Sequence, residues 1–380
     1  MRVLMISHAY VSVELAQAKA RELARRPGLD VTVVAPSRFF ELGRWMSAER
    51  PPAPEYRLEV LPVALPMVRG QRHAYFYPRG LVKLMRSLRP DVVDLWEEPY
   101  SAVSTQVALA RRAVARRAPL VLNPSQQAVK RQPPPFRWGE GYVVRSASYV
   151  VGRSPESVAV VEAKGYRGPS AVIGHGIELG VLGPRDRAAS RRELGIPEEG
   201  RVVSFAGRLV PDKGIDVLLD AIARMPGRVG ALIVGEGPEE GALRAQADRL
   251  GLADRVWFHG PLPMERVALA FTAGDVVAMP SRHEPWGRVA IEAMACEVPL
   301  VAGAAGHLPA LVGEHGRLVR PGDADDLARA LGEALDEPGP ARAERVARAR
   351  DYAATFSWAA LAERWEAVYR EVAPGNGARP

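Results

Sequence analysis

At 380 residues the chain is too long for one ordinary core, and its 47% hydrophobic content is enough to fill two. No apolar run approaches the ~18 residues of a membrane span, the opening Met-Arg-Val-Leu-Met-Ile-Ser-His is too short an apolar stretch for a signal-peptide core, and a single cysteine, Cys296, excludes an internal disulfide and a cysteine-built metal cluster. With neither span nor signal peptide a cytoplasmic protein is expected, and the net charge of +7 is uneven, with 26 Lys+Arg against 14 Asp+Glu in residues 1–176 and 25 against 30 in the rest, so the two halves are expected to meet different partners.

In the first half short apolar runs alternate with amphipathic stretches. Residues 2–7, 30–35, 56–63, 91–95, 120–123, 148–152 and 170–174 read as strands, and 12–26, 77–88, 101–117 and 155–164 as helices. This alternation predicts a parallel sheet wound with helices, with ligands gathering at the C-terminal strand ends. The loops there are His8 to Val13, Trp96 to Tyr100 and Asn123 to Gln127. None carries the Gly-x-Gly-x-x-Gly pattern of a dinucleotide site. Lys130 to Trp138 mixes cations, aromatics and three prolines and reads as a non-helical exposed loop. Like the basic aromatic stretch Arg38 to Trp45, it is a candidate contact for an acceptor or a lipid surface.

The pattern breaks after Gly176, and residues 177–200 read as a linker between domains. A second alternating series follows, with strands over 202–206, 231–235, 256–259, 276–279, 300–302 and 317–319, and helices over 215–224, 238–250, 264–272, 289–295, 324–335 and 342–355. The fold class is therefore α/β, with doubly wound Rossmann-like domains over 1–176 and 201–355 facing a central cleft. Residues 356–380 hold a last helix in which Ser357 can cap and Trp358, Leu361, Trp365, Val368 and Tyr369 make one packing face. The tail from Ala373 is expected to fray.

Chemistry concentrates at three strand ends of the second half. Met279 to Gly303 runs from strand through loop to helix, with Glu284 held in the loop by Pro285 and Glu292 inside the helix. A helix opening near Gly287 turns its free N–H groups toward a bound phosphate. Gly207-Arg208-Leu209 to Lys213-Gly214 adds two cations, and Gly235-Glu236-Gly237-Pro238 gives a backbone room to approach a ligand. Lys213 is one of five lysines among 46 arginines.

These loops, with Pro321-Gly322-Asp323, occur in the order found in the family 4 retaining glycosyltransferases of GT-B fold, which the second half resembles throughout and the first more generally. The resemblance implies a hexosyl transfer from a nucleotide-sugar, UDP first and GDP next, to a glycan, glycolipid or small hydroxyl acceptor, as in polysaccharide biosynthesis, with no metal or other cofactor. Arg208 and Lys213 would neutralise the donor diphosphate, and the amides of Gly287, Arg288 and Val289 would hold it and the sugar. Glu292 would meet the ribose and Glu284 the sugar, so that Glu284, Arg208 and Lys213 form the catalytic set. Gly207, Gly235, Glu236 and Trp286 would complete the donor site. The sugar would pass with retention by front-face attack, the leaving phosphate helping to take the acceptor's proton, and the last helix would cross back to the first domain.

The first half departs from the family where a Gly-Gly loop and a strand-end histidine are usual. His8, Glu97, Asn123, Ser125 and Gln126 are its candidate acceptor-binding residues, through hydroxyl, amide and carboxylate hydrogen bonds. Its basic charge suits a phosphate-bearing or lipid-linked acceptor and peripheral contact with an anionic inner membrane face, and no nucleic acid is expected as partner. Two other readings remain. A glycoside hydrolase also uses paired carboxylates but has no need of two cations and a helix start, and a basic membrane- or nucleic-acid-binding protein would need no catalysis.

Overall fold

The computed structural model describes residues 1–12, 16–41, 44–52, 54–64 and 74–373, which fall into two units, Met1–Gly176 with the residues from Trp358 onward, and Ile177–Ser357.

The first unit runs β1 (Arg2–Ile6), α1 (Ala18–Ala24), β2 (Asp30–Pro36), β3 (Arg38–Glu41), β4 (Arg44–Ser47), β5 (Arg57–Leu61), α2 (Leu81–Leu88), β6 (Val92–Leu95), α3 (Ala102–Val114), β7 (Leu120–Leu122), α4 (Phe136–Ser146), β8 (Tyr149–Gly152), α5 (Pro155–Ala163) and β9 (Ser170–Val172). Seven strands form one parallel sheet in the order β5-β2-β1-β6-β7-β8-β9. Side chains alternate across it, as the strand period demands. On β1, Leu4 and Ile6 join the core under α2, α3 and α4, while Val3 and Met5 join the core under α1.

The second unit runs α6 (Arg187–Glu193), β10 (Arg201–Ala206), α7 (Ile215–Arg224), β11 (Val229–Val234), α8 (Glu240–Arg249), β12 (Val256–Gly260), α9 (Met264–Thr272), β13 (Val276–Met279), α10 (Arg288–Ala295), β14 (Leu300–Gly303), α11 (Leu308–Val312), β15 (Arg317–Val319), α12 (Ala324–Leu335) and α13 (Gly339–Ala354). Its six strands are parallel in the order β12-β11-β10-β13-β14-β15. The buried guanidinium of Arg191 ties α6 to this unit, donating to Asp275 Oδ2 at 2.9 Å and to the carbonyls of Ala273, Glu198 and Gly200 at 2.8–2.9 Å. Pro321-Gly322-Asp323 is a turn and cap: Gly322 has φ +80°, and Asp323 accepts from Asp326 N–H at 2.9 Å to start α12. Cys296 is buried, which pushes its thiol up to about 12.

The last helix, α14 (Trp358–Val372), belongs to the first unit; Leu361, Trp365, Val368 and Tyr369 share a core with α1, and Trp358, also buried, meets His175 edge-on.

Several expected elements change. The helix expected over 77–88 begins only at Leu81, because Pro78 precedes it and Gly80 at φ +97° caps it. Of the helix expected over 12–26, α1 covers Ala18–Ala24, after a 3₁₀ turn at His8–Val11, and residues 13–15 lie outside the described residues, as does the tail beyond Ala373. Lys130 to Trp138 is not all loop: α4 starts at Phe136 directly behind the last proline. Nor is Arg38 to Trp45 a plain exposed stretch, since β3 and β4 pair as an antiparallel hairpin that turns Phe39 inward, 1% exposed, against His8 and Tyr75.

Candidate active site

The chain of the second unit passes from β10 outward to β11 and β12, then returns to lay β13 on the other side of β10. The loops after β10 and β13 therefore flank the strand-end crevice where ligands of such sheets collect.

Two glycine loops form its floor. Gly207 takes φ +157° and Gly235 φ +139°, and a Cβ on Gly235 would fall 1.9 Å from the carbonyl oxygen of Gly207, one on Gly237 2.2 Å from that of Leu209. Hydrogen bonds from Gly207 N–H to Val234 O and from Leu209 N–H to Glu236 O, both 2.9 Å, stitch the loops together. Leu209 is buried, and Arg208 and Glu236 are exposed beside it.

Pro211–Lys213 make a 3₁₀ turn that ends on Gly214, whose missing side chain lets the carbonyl of Pro280 approach; a Cβ would lie 2.2 Å from it. Arg282 locks the two loops. Its N–H donates to Asp212 O at 2.8 Å, and its guanidinium grips the Asp216 carboxylate at 2.7 and 2.6 Å. Burial pushes the Asp216 carboxyl up, but Arg282 outweighs it and holds the group below its ordinary value.

This clamp brings Lys213 to Glu284. The ammonium bonds Glu284 Oε2, while Oε1 accepts the N–H of Gly287 at 3.1 Å. Glu284 is 7% exposed. Its carbonyl accepts His307 N–H at 3.2 Å, and a Cβ on Gly306, at φ +56°, would lie 2.2 Å from that oxygen. Gly287, at φ +95°, caps α10, so the helix starts at Arg288; Ala290 N–H donates to Gly287 O at 2.9 Å, and the N–H groups of Arg288 and Val289 have no intrahelical partner. Further in, Glu292 is 3% exposed and meets Arg288 Nε at 3.0 Å. Trp286 stacks on His307, centroids 4.8 Å apart at 16°, and meets Phe356 edge-on, which makes its ring a wall of the loop.

Of the residues expected on the donor side, then, Lys213, Glu284 and Gly287 are in direct contact, as are Arg288 and Glu292. Val289 lies beside them in the first turn of α10, while Arg208 and Glu236 stand on the flanking loops with no side-chain partner among the described residues. Arg282, Asp216, Gly306 and His307 were not singled out. The small-residue run Gly303-Ala304-Ala305-Gly306 after a strand was the available signal for the last two.

In the first unit four of the five expected residues fall into two clusters. Glu97 Oε1 accepts from His8 N–H at 2.6 Å and from the Tyr75 hydroxyl at 2.6 Å, and lies 2.8 Å from His8 Nδ1. Burial pushes the Glu97 carboxyl up, but the charge and hydrogen bonds of His8, with the Tyr75 hydroxyl, hold it below its ordinary value. His8 also stacks on Phe39, 4.4 Å between centroids. In the second cluster Ser125 N–H donates to Glu98 Oε1 at 2.9 Å, and Lys164 reaches Gln126 Oε1 at 2.9 Å and Glu140 at 2.5 Å. Glu98 Oε2, Gln126 Nε2 and Asn123 Oδ1 are buried with no protein hydrogen-bond partner among the described residues. Burial raises the Glu98 carboxyl above its ordinary value, against the pull of Ser125 and Arg153. Asn123 joins neither cluster. Tyr75 and Lys164 had no sequence signal.

Residues 14–176 match the family described as glycosyl transferase 4-like domain, and 186–354 that described as glycosyl transferases group 1. The D-inositol 3-phosphate glycosyltransferase of Mycobacterium avium (strain 104) is 37% identical over 248 residues, 62% of this chain and 58% of that relative, so the match spans little more than half the relative's length. HepE of Anabaena, solved in complex with UDP, superposes with a TM-score of 0.74 at 25% identity over 97% of this chain and 99% of its own. Sucrose-phosphate synthase of Thermosynechococcus elongatus has the same fold, with a TM-score of 0.72 at 22% identity over 97% and 98% of the two chains. With both halves matched, and two parallel Rossmann-like sheets in the chain, this protein belongs to the family 4 glycosyltransferases of GT-B fold.

Proposed function

We propose that the chain transfers a sugar, with retention and without a metal, from a nucleoside-diphosphate sugar to a hydroxyl acceptor, with UDP the first donor and GDP the next. The observation that carries this is the set of Lys213, Glu284 and the α10 N-terminus at the switch point of the second sheet. Cation and free amides suit a diphosphate, and a buried carboxylate beside them suits sugar hydroxyls. The solved complex of HepE with UDP supports a uridine donor. Arg208 and Lys213 neutralise the diphosphate, the first amides of α10 hold it, Glu292 takes the ribose, and Glu284 takes the sugar. The sugar passes by front-face attack, with the leaving phosphate as proton acceptor. Calorimetry against UDP, GDP and ADP, with the anomeric configuration of the product read by NMR, tests the reading. A Lys213→Ala protein is expected to lose about 10²–10³ in turnover, the usual cost of one preorganised charge partner in the transition state. Unchanged turnover would remove Lys213 from the mechanism.

His8, Glu97, Asn123, Ser125 and Gln126 are assigned to the acceptor, together with Glu98. Three buried polar atoms without protein partners at neighbouring strand ends suit a hydroxyl-rich molecule. A cyclitol phosphate is one such acceptor, in keeping with the name of the curated relatives.

The outer side of α2, α3 and α4 carries the assigned membrane contact. Val82, Leu109 and Trp138 are 42–65% exposed on these helices, among exposed Lys83, Arg86, Arg112, Arg137 and Arg145. The single acid on those helices, Glu140, is buried against Lys164. Exposed aliphatic side chains within a basic field suit an anionic bilayer better than a phosphate backbone. No described helix is long and apolar enough to cross a membrane. Full-length protein is expected to sediment with phosphatidylglycerol vesicles and not with pure phosphatidylcholine ones. Arg112→Glu with Arg137→Glu should weaken this at least ~10-fold, at about 1 kcal/mol per surface base. Equal binding to both vesicle types would refute the contact.

A further inference from the structure

We infer that Glu284 makes the donor site discriminate against the bare nucleoside diphosphate in favour of the sugar-loaded one; this rests on the nucleotide-sugar reading above. The cation and the helix start are already occupied by an anion of the protein's own. One carboxylate oxygen of Glu284 is on Lys213 and the other on the N–H of Gly287.

That carboxylate has little freedom to withdraw. The residue is 7% exposed, its carbonyl is fixed by His307 N–H at 3.2 Å, and Gly306 packs against the same carbonyl with no room for a side chain. The bidentate pair of Arg282 and Asp216 fixes the Lys213 turn against the Glu284 loop from the other side. A diphosphate that takes Lys213 and the amides therefore leaves Glu284 in place, buried, stripped of its counter-ion and facing a second anion. Removing one partner of a buried pair is costly because the remaining charge is uncompensated.

The two forms of the nucleotide relieve this differently. On a nucleotide-sugar the sugar hydroxyls donate to both Glu284 oxygens and replace the lost hydrogen bonds. A bare diphosphate offers no donors, and its terminal phosphate ionises a second time near neutral pH, which adds repulsion. The carboxylate thus favours the loaded donor and helps expel the spent nucleotide.

The test is calorimetry on wild type and Glu284→Gln with UDP and UDP-glucose in the absence of acceptor. Gln keeps an oxygen for Gly287 N–H and removes the charge. UDP is expected to bind the variant five- to tenfold more tightly than it binds wild type, while UDP-glucose binds no better, so the preference for the loaded donor collapses. A purely structural role would weaken both ligands in parallel and leave their ratio unchanged, which would overturn the inference. So would weaker UDP binding to the variant. Lys213→Met, which removes the cation and keeps the carboxylate, is expected to weaken both ligands, UDP the more; a gain in UDP affinity there would overturn the inference as well. If wild type binds neither UDP, GDP nor ADP, with or without sugar, the nucleotide-sugar reading fails first, and that outcome is distinct from an unchanged ratio.

Discussion

A Gly235→Ala protein is expected to lose about 3 kcal/mol of stability and at least ~10-fold in UDP affinity. The new Cβ would sit 1.9 Å from the Gly207 carbonyl oxygen and 2.9 Å from its carbon, and both neighbours are backbone rather than the yielding end of a side chain. Relief requires parting the two glycine loops, which breaks the 2.9 Å bonds from Gly207 N–H and Leu209 N–H. A residue with a side chain is also strained at φ +139°. The same movement carries Arg208 away, so binding should fall further than thermal stability alone would cause. Gly241→Ala is the control. Nothing lies within 4 Å of its Cβ, and it stands in the first turn of α8, so it should be neutral or stabilising by up to about 1 kcal/mol. Thermal unfolding and calorimetry on the two proteins decide it, and matching midpoints and affinities would show that the loops are not the rigid floor described.

The glycine loops were legible because glycine spacing at a strand end has few other uses. The pairing of Lys213 with Glu284 was not. They lie 71 residues apart, and only the sheet order, with β13 laid beside β10, makes their loops neighbours. Both were expected to face the ligand, and in the free protein they face each other. The strand periodicity of the first half was equally readable, whereas α4 was hidden by its composition: three prolines before it, Gly139 and Gly141 inside it. Tertiary packing overrides that weak propensity, since a Cβ on Gly139 would lie 2.3 Å from Thr105 Oγ1 and the glycine is what lets α4 approach α3. The hairpin of β3 and β4 was missed because Arg38 to Trp45 reads as a basic aromatic surface until its two-residue alternation is noticed. On the acceptor side, the expected His8 and Glu97 do meet, but what orients them is Tyr75, which had no local signal. None of the acceptor residues aligns with the family's Gly-Gly loop, and the second cluster is built around Glu98 and Lys164, whose partners Ser125, Gln126 and Glu140 come from the loop after β7 and from α4.

Asp94→Asn is expected to cost about 3–5 kcal/mol, and so is Lys19→Met, whereas the double variant Lys19→Met/Asp94→Leu should cost less than either. Lys19 on α1 and Asp94 on β6 are 2% and 0% exposed and bond at 2.5 Å. Helix α14 closes over them: the Tyr369 hydroxyl donates to Asp94 Oδ2 at 2.6 Å, and the Lys19 ammonium lies 3.1 Å from the centre of the Trp365 ring. Either single change leaves one charge in an apolar wall with no counter-ion, while the double change leaves none. Burial is the larger influence on Lys19 and lowers it to about 8 from 10.5, with Asp94 offsetting only part. Because the folded value lies below the unfolded one, the unfolded chain holds more protons between about pH 8 and pH 10.5, and stability contributed by this group rises with pH across that window. It is lost again as pH falls through 8. The difference in unfolding free energy between wild type and Lys19→Met, followed by tryptophan fluorescence in urea, should therefore grow from pH 8 to pH 10. Additive single costs in the double variant would show that the two groups do not act as a pair, and a difference that stays flat with pH would show that Lys19 keeps its ordinary value in the fold.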